Sequence, residues 1–162
     1  MDSLNSPAPM PRGARFAVDV GTVRVGVAAS DPEGRMAFPV ATVQRTPSAA
    51  AEVAALIAER EAIWVFVGLP RKLSGEEGSS AADARSFAAE LAELTPAPVR
   101  LVDERFSTAT ASAAMRSAGR NSKQQRQVID QAAAVVILES ALDIEKNGKL
   151  GTVTSNVLPE GK

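Results

Sequence analysis

The 162-residue chain contains no cysteine and no histidine. The missing cysteines exclude disulfides, thiolate nucleophiles and zinc–thiolate sites. The missing histidines exclude the commonest general base, imidazole metal ligands and every Ser-His-Asp arrangement. If the protein is an enzyme, its chemistry must therefore use carboxylates, a metal ion, lysine, arginine or hydroxyl groups.

Aromatic residues and long apolar runs are also scarce. The chain has five phenylalanines, one tryptophan and no tyrosine, which argues against the base-stacking platforms of single-strand binders. No segment has the length of a membrane span, and the N-terminal segment lacks the apolar stretch of a signal peptide. The sequence therefore predicts a cytoplasmic protein with no membrane partner.

Neither sign of charge dominates, because 18 Lys and Arg residues and 19 Asp and Glu residues give a net charge of −1. This balance argues against a protein that coats nucleic acid by bulk charge, but it allows a local basic patch. Between positions 105 and 129 there is no acidic residue, and the basic ones are Arg105, Arg116, Arg120, Lys123 and Arg126. This segment would attract phosphates, although an ordinary solvated helix face has the same charge pattern.

The length fits one domain, which we predict at residues 15–145. A polar, proline-containing N-terminal tail, 1–14, and a polar, glycine-containing C-terminal tail, 146–162, are predicted to be flexible. The domain opens with three β-rich runs that predict an antiparallel meander. Pro39 in the third run indicates an edge strand.

After the meander, apolar residues recur at helical spacing and alternate with short apolar runs. This pattern predicts helices over 48–60, 80–94, 107–118 and 124–145, with strands over 62–70 and 98–102. The predicted fold class is therefore α/β: a mixed five-stranded sheet, made of the three-strand meander and two further strands, flanked by helices.

Acidic residues occur at positions where a solvated charge is not expected. Asp19 interrupts the first apolar strand, and burying an unpaired charge there would be costly. Asp103 and Glu104 follow a short strand, and Asp130 lies in the early turns of an apolar helix, where the helix dipole would favour it. Taken singly, each is more simply a buried hydrogen-bonding group, a turn residue or an ion-pair partner.

Together, these carboxylates could converge on the crevice where α/β folds place ligands. Carboxylates without histidine are the oxygen ligands that suit Mg²⁺ or Mn²⁺, and two such ions can clamp a phosphodiester during its displacement. Residues alone leave Asp103 and Glu104 as equal alternatives. The hydroxyl and cationic groups of Thr22 and Arg24 could contact phosphates beside such a site.

Four stretches form an ordered set of motifs: VDVGTVRVGVAASD at 18–31, VGLPRKLSGEEG at 67–78, VDERFSTATA at 102–111 and IDQAAAVVILESALD at 129–143. They resemble, in turn, an Asp-x-Gly-Thr-x-Arg-x-Gly-Val-Ala strand, a Gly-Leu-Pro loop, an Asp-Glu-Arg-x-[Ser/Thr]-Thr motif and an Asp-x-x-Ala-Ala helix. The set is similar to that of the YqgF/RuvX family of RNase H-like nucleases.

The resemblance implies an RNase H-like fold and hydrolysis of phosphodiesters with divalent metal. Asp19, Glu104 and Asp130 would then be the catalytic, metal-binding carboxylates, holding two Mg²⁺ or Mn²⁺ ions. The resemblance, not the physics, favours Glu104 over Asp103. Thr22, Arg24, Arg105 and Thr108 would contact substrate or support the ligands. The charge pattern, not the resemblance, adds Arg116, Arg120 and Lys123 as candidate substrate contacts.

The family resemblance implies two roles, maturation of the 5′ end of pre-16S rRNA and resolution of Holliday junctions. A resolvase would need a homodimer, for which the basic segment at 105–126 is a candidate surface. Two other classes stay open: a non-catalytic nucleic-acid-binding module in ribosome assembly, and an actin-like ATPase or sugar kinase. The latter enclose a nucleotide between two such domains, whereas 162 residues supply one.

Overall fold

The computed structural model describes residues 11–72, 74–104, 123–150 and 155–157, without the side chains of 123–130 and 155. The described residues form one six-stranded sheet with helices on both faces. The strands are β1 (Arg15–Val20), β2 (Arg24–Ser30), β3 (Ala37–Gln44), β4 (Trp64–Leu69), β5 (Val99–Asp103) and β6 (Ser155–Val157). The helices are α1 (Ala49–Glu59), α2 (Ser79–Leu94) and α3 (Lys123–Lys146).

The strand order is β3-β2-β1-β4-β5-β6. β1, β2 and β3 form the predicted antiparallel meander, and β3, which contains Pro39, lies at one edge of the sheet. β4 and β5 run parallel to β1, because α1 and α2 each return the chain to the start of the next strand. The carboxyl ends of β1, β4 and β5 therefore lie at one edge of the sheet, the place where α/β folds bind ligands.

The α/β class and the mixed sheet are confirmed, but the predicted number of five strands is wrong. The additional strand, β6, pairs antiparallel with β5 and lies within the segment predicted as the C-terminal tail. β6 has three residues, which are too few to show a periodic pattern. It therefore forms through pairing with β5 and not through local propensity. The predicted helix over 107–118 lies outside the described residues.

Alternation along β1 separates two cores. Phe16 and Val18 pack with α1 and α2, whereas Ala17 on the opposite face packs with α3. Since side chains in a strand alternate between faces, Asp19 belongs to the α3 face. The apolar runs of β4 and β5 divide in the same way, with Phe66 and Val102 on the α3 face.

A buried ion pair fastens the end of α3 to the start of β1. The Arg15 guanidinium is fully buried and donates to both carboxylate oxygens of Glu145, at 3.0 and 2.7 Å. It also donates to the carbonyls of Pro11, Gly13 and Pro32.

The described helices include none that is long and apolar enough to cross a bilayer.

Candidate active site

Asp19 is half-buried at the carboxyl end of β1, on the sheet face that α3 covers. Its partner in β2 is Gly26, which in turn pairs with Thr42 of β3. On the other side, Val18 pairs with Val67 of β4, so the next position, beside Asp19, is Gly68. The two sheet positions directly beside Asp19 are therefore glycines, which leave space next to its carboxylate.

Glu104 follows β5 directly and extends over β4. A Cβ atom built on Gly68 would lie 2.9 Å from Oε2 of Glu104 and 2.6 Å from Cδ1 of Ile137 in α3. The missing side chain of Gly68 therefore makes the space that the Glu104 carboxylate occupies. An isolated glycine inside an apolar strand marks such a close approach, and this signal was available in the sequence run VFVGLP.

Asp103 and Glu104 lie on opposite faces of the sheet. Asp103 is 9% exposed and lies at the end of β5 on the α2 side, where its Oδ2 is 3.5 Å from Nε of Arg71. Glu104 lies on the α3 side with Asp19. The geometry thus separates two residues that the sequence left equal, and it groups Glu104 with Asp19.

Burial raises the pKa of Glu104, and the negative charge of neighbouring Asp103 raises it further. Both effects disfavour the charged carboxylate, and a divalent cation bound beside it would offset them. A carboxyl group in these surroundings, with a second carboxylate on the same face, offers the oxygen ligands that suit a hard cation such as Mg²⁺.

Asp130 lies in α3, which crosses β3, β2 and β1 and reaches β4. By helical repeat, position 130 shares a stripe with Ala134 and Ile137, which are buried against the sheet. Its side chain lies outside the described atoms, and among the described residues no three acidic groups gather as metal ligands. Asp130 lies about two turns after Lys123 in α3, whereas the helix dipole acts mainly on the first turn.

The other predicted contact residues divide between the turn after Asp19 and the undescribed segment. Thr22 is exposed in the β1–β2 turn, and Arg24 is half-buried at the start of β2. The turn is closed by a 2.9 Å hydrogen bond from the Gly21 amide to the Arg24 carbonyl. The predicted contacts outside the described side chains are Arg105, Thr108, Arg116, Arg120 and Lys123.

Arg45, which sequence reasoning did not single out, braces this turn. Its Nη1 donates to the Gly21 carbonyl at 2.9 Å, and its two terminal nitrogens donate to the carboxylate of Asp83 in α2 at 2.8 Å. The guanidinium also lies over the Phe87 ring, 5.1 Å from its centroid. Arg45 therefore connects the turn that follows Asp19 to α2. Arg45 and Asp83 are 38 residues apart in the sequence.

The brace gives a pH-dependent prediction. Hydrogen bonds from Arg45 hold the pKa of Asp83 below its usual range, against an opposing effect of burial. A carboxyl with a lowered pKa stabilises the fold above its unfolded-state pKa, about 4, and this contribution is lost as pH falls through the folded-state pKa. Asp83→Asn should therefore cost about 0.5–1 kcal/mol at pH 7 and clearly less near pH 2.5, well below the unfolded-state pKa.

Urea unfolding of wild type and Asp83→Asn at the two pH values measures this difference. Asp143→Asn, at an exposed position of α3, is the control and should change little at either pH. An equal cost of Asp83→Asn at pH 7 and pH 2.5 would contradict the role of the ion pair.

Solved structures of other proteins share the fold of this chain. Two structures of RuvC from Thermus thermophilus, one of them in complex with a Holliday junction substrate, superpose with TM-scores of 0.57 and 0.56. They are 14% identical to this chain, covering 88–89% of it and 99% of the RuvC chains. The chain therefore has the fold of these RuvC structures, a mixed sheet with helices on both faces.

Sequence comparisons show the family to which the chain belongs. The family model described as "RuvX: Holliday junction resolvase" matches residues 13–144. A protein of Streptomyces coelicolor named "Putative pre-16S rRNA nuclease" is 54% identical over 148 residues, 90% of this chain and 88% of its own. A protein of Mycobacteroides abscessus with the same name is 53% identical over 136 residues, 82% of each chain. The chain belongs to the RuvX family of nucleases.

Proposed function

We propose that this chain is a divalent-metal-dependent nuclease that processes the 5′ end of pre-16S rRNA in ribosome biogenesis, a cytoplasmic task. The observation that supports the chemistry best is the placement of Asp19 and Glu104 on one face, with Gly68 between their strands. The relatives about half identical to the chain, which are named for pre-16S rRNA, support the choice of substrate.

In this proposal Asp19, Glu104 and Asp130 would hold two Mg²⁺ or Mn²⁺ ions. A bound divalent metal would supply stabilisation of negative charge on the phosphodiester and would lower the pKa of a water molecule beside it. The protein supplies rigidity: Asp19 is fixed by the β1 ladder on both sides, and the β1–β2 turn is braced by Arg45.

Phosphate contacts complete the proposed site. Thr22 lies in the turn that follows β1 and Arg24 at the start of β2, and their hydroxyl and guanidinium groups would donate to phosphate oxygens. The remaining proposed contacts come from the basic segment and α3: Arg105, Thr108, Arg116, Arg120 and Lys123. Such contacts neutralise phosphates without reading base sequence, so the structure of the nucleic acid would select the substrate.

Holliday junction resolution is the second candidate, favoured by the description of the matching family model. A resolvase cuts two opposed strands symmetrically, so this function would require a homodimer with two active sites. Mass measurement by light scattering, with and without a four-way junction, tests that requirement separately from cleavage.

The test is cleavage by wild type and Asp19→Asn with Mg²⁺ or Mn²⁺, on a 5′-extended 16S precursor RNA and a four-way DNA junction. We expect wild type to cut the RNA and Asp19→Asn to be slower by about a thousandfold or more, because loss of several kcal/mol of transition-state stabilisation has that effect. Asn is nearly isosteric with Asp, so the fold should be retained, and circular dichroism checks this.

The other results separate the alternatives. Junction cleavage without RNA cleavage would assign the chain to resolution. Binding of RNA without cleavage in either metal, unchanged by Asp19→Asn, would favour the non-catalytic module of ribosome assembly and contradict the carboxylate mechanism.

A further inference from the structure

The contact of α3 with the sheet is mostly apolar along its described side chains. Ala134, Ile137, Leu138, Ala141 and Leu142 are buried there against β1, β2, β4 and β5. Apolar contacts have little directional preference, so they stabilise the helix on the sheet without strictly fixing its rotation about its own axis. Polar contacts between α3 and the sheet can therefore determine the rotation of the helix about its axis.

Hydrogen bonds from described side chains of α3 reach the sheet toward both ends of the helix. Glu145 binds Arg15 near the helix C-terminus. Toward the other end, the Gln131 Nε2 atom donates to Oγ1 of Thr42 in β3 at 2.8 Å, across 89 residues of sequence. Both partners are half-buried, where a hydrogen bond is more stable than in open water.

The location of this bond connects it to the candidate active site. Thr42 pairs with Gly26, and Gly26 pairs with Asp19, so the bond reaches the same row of the sheet as Asp19. Gln131 is also the residue that follows Asp130. The hydrogen bond thus joins the helical turn containing position 130 to the row containing Asp19.

We propose that Gln131 and Thr42 form a positioning pair, which sets the rotation and height of α3 over the sheet and so places Asp130 relative to Asp19 and Glu104. This role rests on the proposed function, since it concerns the same metal site. Neither residue is a proposed metal ligand or phosphate contact. The pair acts through the helix backbone.

The size of the effect follows from helix geometry. A rotation of about 20° displaces a Cα atom, ~2.3 Å from the helix axis, by ~0.8 Å, and a side-chain tip by more. A displacement of about 1 Å at a reacting centre can lower the rate about a hundredfold. Loss of the bond should therefore affect metal binding and turnover far more than substrate affinity.

The test compares Thr42→Val, which removes the hydroxyl at nearly constant volume, with Thr42→Ser, which keeps it. Gln131→Leu and the double variant Thr42→Val/Gln131→Leu complete a cycle. Glu139→Gln, at an exposed position of the same helix, is the control. Mn²⁺ affinity is measured by electron paramagnetic resonance without substrate, and kcat and KM are measured on the preferred nucleic acid.

We expect Thr42→Val and Gln131→Leu each to weaken Mn²⁺ binding about three- to tenfold and to lower kcat about ten- to a hundredfold, with KM within about twofold. The double variant should be no worse than either single one, because both remove the same bond. Thr42→Ser and Glu139→Gln should match wild type.

The positioning role alone would be overturned if Thr42→Val and Gln131→Leu both kept Mn²⁺ affinity and kcat within about twofold of wild type. In that case Asp19→Asn would still lose both Mn²⁺ affinity and kcat. Additive losses in the double variant would also overturn it. Mn²⁺ binding that survives Asp19→Asn would overturn the proposed metal site and the positioning role with it. If one variant fails to fold, the other single variant decides.

Discussion

Gly68→Ala is expected to lower cleavage about a hundredfold or more while leaving a folded protein. The added methyl group would lie 2.9 Å from Oε2 of Glu104 and 2.6 Å from Cδ1 of Ile137. Both atoms are ends of flexible side chains, so they can move aside at a modest cost in stability, about 1–3 kcal/mol. The movement of Glu104, however, takes its carboxylate away from the proposed metal site.

A second variant separates these two effects. Ile137→Val removes the Cδ1 atom that the new methyl group would meet, so Gly68→Ala/Ile137→Val should regain part of the stability lost in Gly68→Ala. It should not regain cleavage, because the conflict with Glu104 remains. Thermal unfolding and initial cleavage rates of the three variants measure the two effects independently.

The outcome depends on the space beside Glu104 and not on stability. Full activity in Gly68→Ala would contradict the placement of Glu104 over this glycine. Activity that returns together with stability in Gly68→Ala/Ile137→Val would show that packing against Ile137, and not the carboxylate, limits the reaction.

Arg15→Met is expected to give the largest loss of stability, about 3–5 kcal/mol, because it leaves a buried carboxylate without its cation. Arg15 is fully buried, and the Glu145 side chain is 6% exposed. The substitution also removes donors from the carbonyls of Pro11, Gly13 and Pro32. For a chain of this size, the melting temperature should fall by about 10 °C or more.

The surface pair of Arg85 and Glu77 is the matched control. Arg85 donates to both carboxylate oxygens of Glu77 at 2.7 Å, but its side chain is 45% exposed. Arg85→Met should therefore cost about 1 kcal/mol or less. Similar losses for Arg15→Met and Arg85→Met, measured by urea unfolding, would contradict the importance of burial. We expect the buried pair to dominate.

The main elements of the fold could be predicted because their patterns are local. The run from Trp64 to Leu69 is apolar throughout, as expected for a strand covered on both faces, and Pro39 correctly marked an edge. β6 could not be predicted, because Ser155–Val157 becomes a strand only through pairing with β5. Its local sequence resembles that of a loop.

The sequence predicted carboxylates at the end of β5, but the residues alone could not decide between Asp103 and Glu104. Asp103 and Glu104 are adjacent, and a shift of one residue in a strand exchanges the faces. The sequence cannot show that β5 continues through Asp103, and this detail puts Glu104 on the face of Asp19. The family resemblance favoured Glu104, and the register of β5 gives the physical reason.

Contacts distant in sequence were also beyond prediction. The bonds of Arg45 to Asp83 and of Gln131 to Thr42 span 38 and 89 residues, and each residue alone reads as an ordinary polar side chain. The close approach of Glu104 to Gly68 does have a signal in the sequence, because a lone glycine in an apolar strand indicates such an approach.

The most direct measurement of the central claim is the cleavage rate of Glu104→Gln beside Asp103→Asn, at saturating Mg²⁺. Both substitutions remove one negative charge from neighbouring positions at nearly constant volume, and only Glu104 shares a face with Asp19. We predict a loss of about a hundredfold or more for Glu104→Gln, with Asp103→Asn within about fivefold of wild type. Wild-type rates in Glu104→Gln and a large loss in Asp103→Asn would contradict the carboxylate site on the α3 face.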